Sequence, residues 1–186
     1  MPNKIRAIAF DDGCFEKGKS LKTKLVGVIF RSDSQIEGIL CDEIFVDRLD
    51  STALIEKMIK KSRFADQIRY IFLSGLNFAG FNIVDMPKLY SMLKIPIIVT
   101  LKKKPDMVKI NSALAKFHDS MERIALIKKA GKLHSYKKIY YQKIGLDEKQ
   151  AQHIIDAFTY TSNMPEPVRL AHIIASGLTL GESTRP

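Results

Sequence analysis

The stretch Ile71–Lys104, IFLSGLNFAGFNIVDMPKLYSMLKIPIIVTLKKK, decides how the chain is read. It opens on the short apolar run Ile71-Phe72-Leu73 and passes through a glycine-bearing loop. An amphipathic segment from Met86 to Leu93 follows, and the chain re-emerges as Ile95-Pro96-Ile97-Ile98-Val99-Thr100-Leu101. Strand, loop, helix, strand is the order of one βαβ crossover. Pro87 suits a first helical turn, where its missing N–H costs nothing. In α/β sheets the loops leaving the carboxyl ends of parallel strands commonly carry the ligand site. Here those loops begin at Ser74–Phe81 and at Lys102–Lys104.

Towards the N-terminus, Ile5–Phe10 is rich in branched and aromatic residues and meets Asp11-Asp12-Gly13, a turn signal with two adjacent carboxylates. Leu25–Phe30 and Ile36–Val46 flank the polar Arg31–Ser34, which predicts an antiparallel hairpin and hence a mixed sheet. Leu54, Ile55, Met58 and Ile59 share one helical face, with Asp50 or Ser51 as N-cap and Lys57, Lys60, Lys61 and Arg63 solvating the other side. Downstream, Asp106–Ala130 has a helical period with a break expected near His118-Asp119, and Gly131 supplies a C-cap. Lys132–Lys143 is dense in lysine and tyrosine, with a short strand at Ile139-Tyr140-Tyr141. A helix from Leu146 to Phe158, a loop from Thr159 to Pro165 and a last helix from Glu166-Pro167 complete the chain. With no repeat and no linker, residues 1–186 read as one domain.

A chain of 186 residues buries enough surface to fold without staples. Thirty Lys and Arg against twenty Asp and Glu give a formal charge of +10, and the pI is near 9.6. That excess favours an anionic partner, nucleic acid first. Cys14 and Cys41 stand far from any zinc spacing and read as ordinary reduced thiols. No signal peptide and no run of about 18 apolar residues is present, so a soluble, cytoplasmic protein with no membrane partner is expected. The loop holding Gly75 and Gly80 lacks Walker or dinucleotide spacing, which argues against a nucleotide enzyme.

The order of elements, with acid at the end of the first strand and a mixed sheet flanked by helices, resembles the α/β ribonuclease-H-like fold. Ser74–Gly80, a helix and then Ile95-Pro96 to Lys102 are similar to the Asp-Gly loop, helix and Ile-Pro strand of the endonuclease V superfamily. Asp147–Thr159 and Met164-Pro165-Glu166-Pro167-Val168-Arg169-Leu170-Ala171-His172 resemble that superfamily's C-terminal helix pair with its Pro-Glu-Pro-x-Arg signature. Asp11-Asp12-Gly13 and Phe78-Ala79-Gly80-Phe81-Asn82 point to an archaeal, endonuclease dU-like branch known as domain of unknown function 99.

The resemblance implies a divalent-metal-dependent endonuclease of DNA repair that hydrolyses DNA at deaminated bases, uracil or hypoxanthine, with Mg²⁺ or Mn²⁺ as cofactor. DNA is expected ahead of RNA as the partner. Clustered carboxylates suit this chemistry because Mg²⁺ takes oxygen ligands, typically one or two carboxylates beside water and phosphate. Carried over residue by residue, Asp11, Asp12 and Asp50 are the metal-ligand candidates, with Asp47 a rival to Asp50, and Lys102 and His172 join them as catalytic candidates. Ser74, Gly75, Asn77, Gly80, Asn82, Lys103, Lys104 and Arg169 fall in the substrate-binding stretches. Two departures stand out: Ser74 occupies the place of the family's third-strand Asp, and Gly80 that of a histidine. Either a neighbouring acid such as Asp85 replaces the missing ligand, or cleavage is weakened and the protein binds nucleic acid without cutting it. In that second class Lys102–Lys104 and the Lys132–Lys143 region bind electrostatically, and Tyr136, Tyr140 and Tyr141 divide between base stacking and the core.

Overall fold

The structure, a computed structural model, describes residues 4–185. Its elements are β1 (Arg6–Asp12), β2 (Lys22–Arg31), β3 (Gln35–Phe45), α1 (Ser51–Lys61), a 3₁₀ turn (Ala65–Gln67), β4 (Tyr70–Leu73), β5 (Asn77–Phe78) and β6 (Asn82–Ile83). They continue with α2 (Met86–Leu93), β7 (Ile97–Leu101), α3 (Met107–Leu114), α4 (Ser120–Lys129), β8 (His134–Tyr136), β9 (Ile139–Ile144), α5 (Glu148–Ala157) and α6 (Glu166–Leu180). Seven strands form one sheet in the order β3-β2-β1-β4-β7-β9-β8. The central β1, β4 and β7 are parallel, with β2–β3 antiparallel at one side and β9–β8 at the other. The crossover read from Ile71–Lys104 is β4–α2–β7, aligned as Ile71 with Ile97 through Leu73 with Val99. Its second strand starts at Ile97 because Pro96 has no N–H to give; the Pro96 carbonyl still accepts from the Ile71 amide at 2.9 Å.

Alternation along the central strands sorts side chains onto two cores. Ile8, Phe10, Ile71, Leu73, Ile97 and Val99 pack under α1 and α2. Ala7, Ala9, Phe72 and Ile98 pack under α5 and α6 through Ile154, Phe158, Val168, Ala171 and Ala175. Phe72 meets Phe158 edge-on, ring centres 5.5 Å apart, and burying such a ring contributes about 2–3 kcal/mol. Two steps further along each strand, the same alternation fixes the site: Asp11, Ser74, Thr100 and Lys102 continue the α6 face, whereas Asp12 continues the opposite one. Gly13 lets α6 pass close to β1, since a Cβ there would lie 2.3 Å from Thr179 Cγ2 and 3.0 Å from the Ala175 carbonyl oxygen.

The stretch 106–130 divides into α3 and α4 around residues 115–119, as the pattern predicts. The lysine- and tyrosine-rich segment is longer than the expected short strand and forms the hairpin β8–β9. Tyr141 is fully buried, and the Tyr136 hydroxyl donates to Asp156 at 2.8 Å. The loop after β4 closes into the miniature hairpin β5–β6. Asp50 precedes α1, yet its carboxylate makes no capping bond; the Ser51 amide donates instead to Asn82 Oδ1 at 2.9 Å. Cys14 and Cys41 are exposed and unbridged. Among the described residues no helix is long and apolar enough to cross a membrane.

Candidate active site

Asp11 is buried at the carboxyl end of β1 and receives three partners. The Ser74 hydroxyl donates to Oδ1, the Asp12 amide donates to the same oxygen at 3.0 Å, and His172 Nδ1 lies 2.9 Å from Oδ2. Ser74 arrives from the end of β4, where its amide bonds the Phe10 carbonyl at 3.2 Å, and His172 arrives from α6. First strand, central crossover and last helix therefore meet on one carboxylate. That hydrogen bond and the charge of Asp11 push the His172 imidazole above its ordinary pKa, against burial and the nearby Lys102 cation. His172 Nε2 lies 3.0 Å from Thr184 Oγ1.

Asp11, Ser74, Thr100, Lys102, Met164, Arg169 and His172 border a cavity of about 300 Å³. Arg169 is oriented from within α6: its Nε donates to Glu166 Oε2 at 2.8 Å, its Nη2 lies 2.7 Å from the same oxygen, and Glu166 is itself buried. The Thr161 hydroxyl holds the other Glu166 oxygen, tying the loop before α6 to the same anchor.

Asp12 points to the other face. Its Oδ2 accepts from the Ala79 amide at 2.8 Å. Burial, and then the adjacent Asp11 charge, raise its pKa to about 7, only partly offset by backbone hydrogen bonds and His172. The loop it touches is held from its far side by Asp47, which accepts from the Phe81 amide at 2.8 Å and whose own amide donates to the Ala79 carbonyl at 2.9 Å. Gly80, at φ +85°, leaves room for that contact: a Cβ there would lie 2.3 Å from Asp47 Oδ1. Asn77 braces the same turn, donating to the Gly80 carbonyl at 2.8 Å, and Gly75 turns the chain at φ +153°.

Of the sequence candidates, the fold thus gathers Asp11, Ser74, Lys102, Arg169 and His172 in one cavity, with Asp12, Gly75, Asn77 and Gly80 beside it. Asp50 and Asn82 pair with each other at the start of α1, where Asn82 also donates to the Phe45 carbonyl at 2.9 Å. Lys103 is exposed, and Lys104 borders a separate, largely apolar cavity. Asp85, the neighbouring acid, lies outside the lining of the Asp11 cavity and caps α2 by accepting from the Lys88 amide at 3.0 Å. Thr100, Met164 and Glu166 were not singled out as site residues. For Thr100 the signal was present, since it lies two positions from Ile98 and two from Lys102 on the same face.

The donor set fits a hard divalent cation of few protein ligands. Two neighbouring carboxylates, one of them raised to about 7 by burial and its neighbour, carry charge that such an ion would compensate. No group of three or more His, Cys, Asp or Glu side chains suited to a metal occurs among the described residues. Water and phosphate would complete the coordination, as is usual for Mg²⁺.

A mixed seven-stranded sheet with this connectivity is the ribonuclease-H-like fold of the endonuclease V type. Human endonuclease V superposes with a TM-score of 0.61 at 13% identity over 94% of this chain and 84% of that chain. Endonuclease V of Ciona intestinalis, in complex with an inosine-containing DNA, superposes with 0.59 at 12% identity over 91% and 83%. The chain belongs to the Endonuclease dU family, whose model matches residues 3–179. A UPF0215 protein of Thermococcus kodakarensis is 43% identical, covering 97% of this chain and 95% of its own. A protein of unknown function from Archaeoglobus fulgidus has a crystal structure that superposes with a TM-score of 0.88 at 36% identity, covering 95% of this chain and 99% of its own.

Proposed function

We propose that this protein is a divalent-metal-dependent endonuclease that cuts DNA at deaminated bases, uracil or hypoxanthine. The observation that carries the reading is the buried Asp11 carboxylate, held by Ser74 and His172 inside a cavity bordered by Lys102 and Arg169. The family's description and the inosine-DNA complex of the Ciona enzyme support it.

Asp11 would hold the magnesium or manganese ion, with the Asp12 charge close behind it on the other face of the strand; when bound, the ion supplies Lewis-acid chemistry and lowers the pKa of a water nucleophile. Lys102 and Arg169 flank the place of the phosphate and offset its charge. Arg169 enters with its guanidinium already ion-paired and its Nε–H hydrogen-bonded to Glu166, so little ordering is lost when it meets the substrate. His172, kept protonated to higher pH by Asp11, holds a proton at Nε2 for a phosphate or leaving oxygen once Thr184 is displaced.

The test incubates the protein with Mg²⁺ or Mn²⁺ and duplexes carrying one deoxyuridine or deoxyinosine. Nicking at the altered base is expected, with Asp11→Asn slower by at least about 10²-fold. Absence of cleavage by the wild type, or equal cleavage by Asp11→Asn, overturns the reading.

One observation favours a second reading, a nucleic-acid-binding protein without turnover. Ser74 brings a hydroxyl where the endonuclease V resemblance calls for a carboxylate, and that hydroxyl is spent on Asp11. Tight, metal-independent binding without cleavage selects this alternative.

A further inference from the structure

Beside the Asp11 cavity lies a second chamber of about 260 Å³ between the β8–β9 hairpin and the loop before α6. The two share Lys102, Met164 and Arg169 in their walls, so they form one continuous trench. Lys138, Ser162 and Asn163 line the second chamber, and none of its lining residues is acidic. Its floor, Ile139 and Met164, is buried and apolar.

The chamber is built rather than incidental. Buried Glu166 fixes Arg169 on one side and Thr161 on the other. Ser162 Oγ both donates to the Met164 carbonyl and accepts from its amide, each at 3.1 Å, which locks the turn that presents Asn163. Lys137, next in sequence to Lys138, is held at 2.5 Å by Asp156, whereas Lys138 has no ion pair among the described residues. An unpaired cation, a cation shared with the first chamber, an amide and an apolar floor match one phosphodiester with its sugar.

We propose that this chamber is a second backbone subsite, taking the nucleotide adjacent to the one whose phosphate sits at Asp11. The assignment rests on the nuclease reading above and extends it: the strand runs from Asp11 past Lys102 and Arg169 and then between Lys138 and Asn163. Lys138 contributes charge, and Asn163 contributes a hydrogen bond.

The test measures fluorescence anisotropy of a labelled single-stranded DNA containing one deoxyuridine, in EDTA, across about 50 to 200 mM salt. Lys138→Ala should make the dependence of log K on log salt shallower by about 0.7, one phosphate contact on a single strand. Lys137→Ala, one residue away and outside the trench, should leave the slope unchanged. Asn163→Ala should weaken binding at every salt concentration without altering the slope. Wild-type binding with Lys138→Ala indistinguishable from Lys137→Ala overturns the subsite alone. No wild-type binding at low salt overturns both the subsite and the nucleic-acid reading beneath it.

Discussion

The Asp12 carboxylate has the Ala79 amide to set against burial and the charge of Asp11, and the balance raises its pKa to about 7. A carboxyl whose folded pKa exceeds its unfolded value of 3.8 stabilises the fold most at low pH. Here the contribution is lost as pH rises from about 4 through about 7. Asp12→Asn keeps an acceptor for Ala79 and removes the charge. It should be neutral near pH 4 and stabilising by about 1–2 kcal/mol at pH 8 without metal, a rise in Tm of roughly 3–6 °C. Mg²⁺ should raise the wild-type Tm at pH 8 and move the variant's less; equal Tm profiles for the two proteins from pH 4 to 8 count against the burial argument. Strand alternation explains why the sequence reveals Asp11 and Asp12 as a pair on opposite faces. It is silent on Asp50, because its neighbour Asn82 is thirty-two residues away in sequence and comes to it only through the tertiary fold.

At the scale of elements, two contacts hold the site together. Gly13 admits α6, and Gly13→Ala forces a Cβ against Thr179 and the Ala175 carbonyl. We expect a loss of about 1–3 kcal/mol, read by urea unfolding, together with slower cleavage because α6 carries His172 away from Asp11. The second contact is Arg123 of α4, 3% exposed, which donates to the Phe81 and Asp47 carbonyls and to both oxygens of Asp119. It ties the α3–α4 layer to the loop that touches Asp12. Arg123→Met leaves a half-buried carboxylate and two carbonyls unmatched, so a loss of about 3 kcal/mol and roughly 6–12 °C in Tm is expected. The double variant with Asp119→Ala should lose less than the sum of the two single changes; strict additivity would show that the pair is uncoupled. The βαβ unit, the β2–β3 hairpin and the break between α3 and α4 were legible because each has its own period and punctuation. The β5–β6 hairpin was not, since two-residue strands have no period, and Arg123 sits on a helix whose other positively charged residues face water.

Across the whole molecule the charge of +10 is unevenly compensated. On β2, β3 and α1, lysines meet acids: Lys22 and Lys24 pair with Glu43, Lys57 with Asp42 and Lys60 with Glu56. At the carboxyl edge of β7, Lys102, Lys103 and Lys104 have no such pairs among the described residues, and the first of them lines the Asp11 cavity. Part of the uncompensated charge therefore stands at the edge that carries the site, which a count of residues along the chain cannot show. Pairing also predicts which lysines matter to a polyanion, because a lysine already matched by a carboxylate releases little counterion from DNA. Replacing Lys102, Lys103 and Lys104 together by Ala should flatten the salt dependence of single-stranded DNA binding by about 2 in the log–log slope. Replacing Lys22, Lys24 and Lys57, an equal loss of formal charge, should flatten it by much less. Net charge alone predicts equal effects from the two triple variants, so anisotropy titrations that give equal slopes would show that nucleic acid senses the total charge and not the edge.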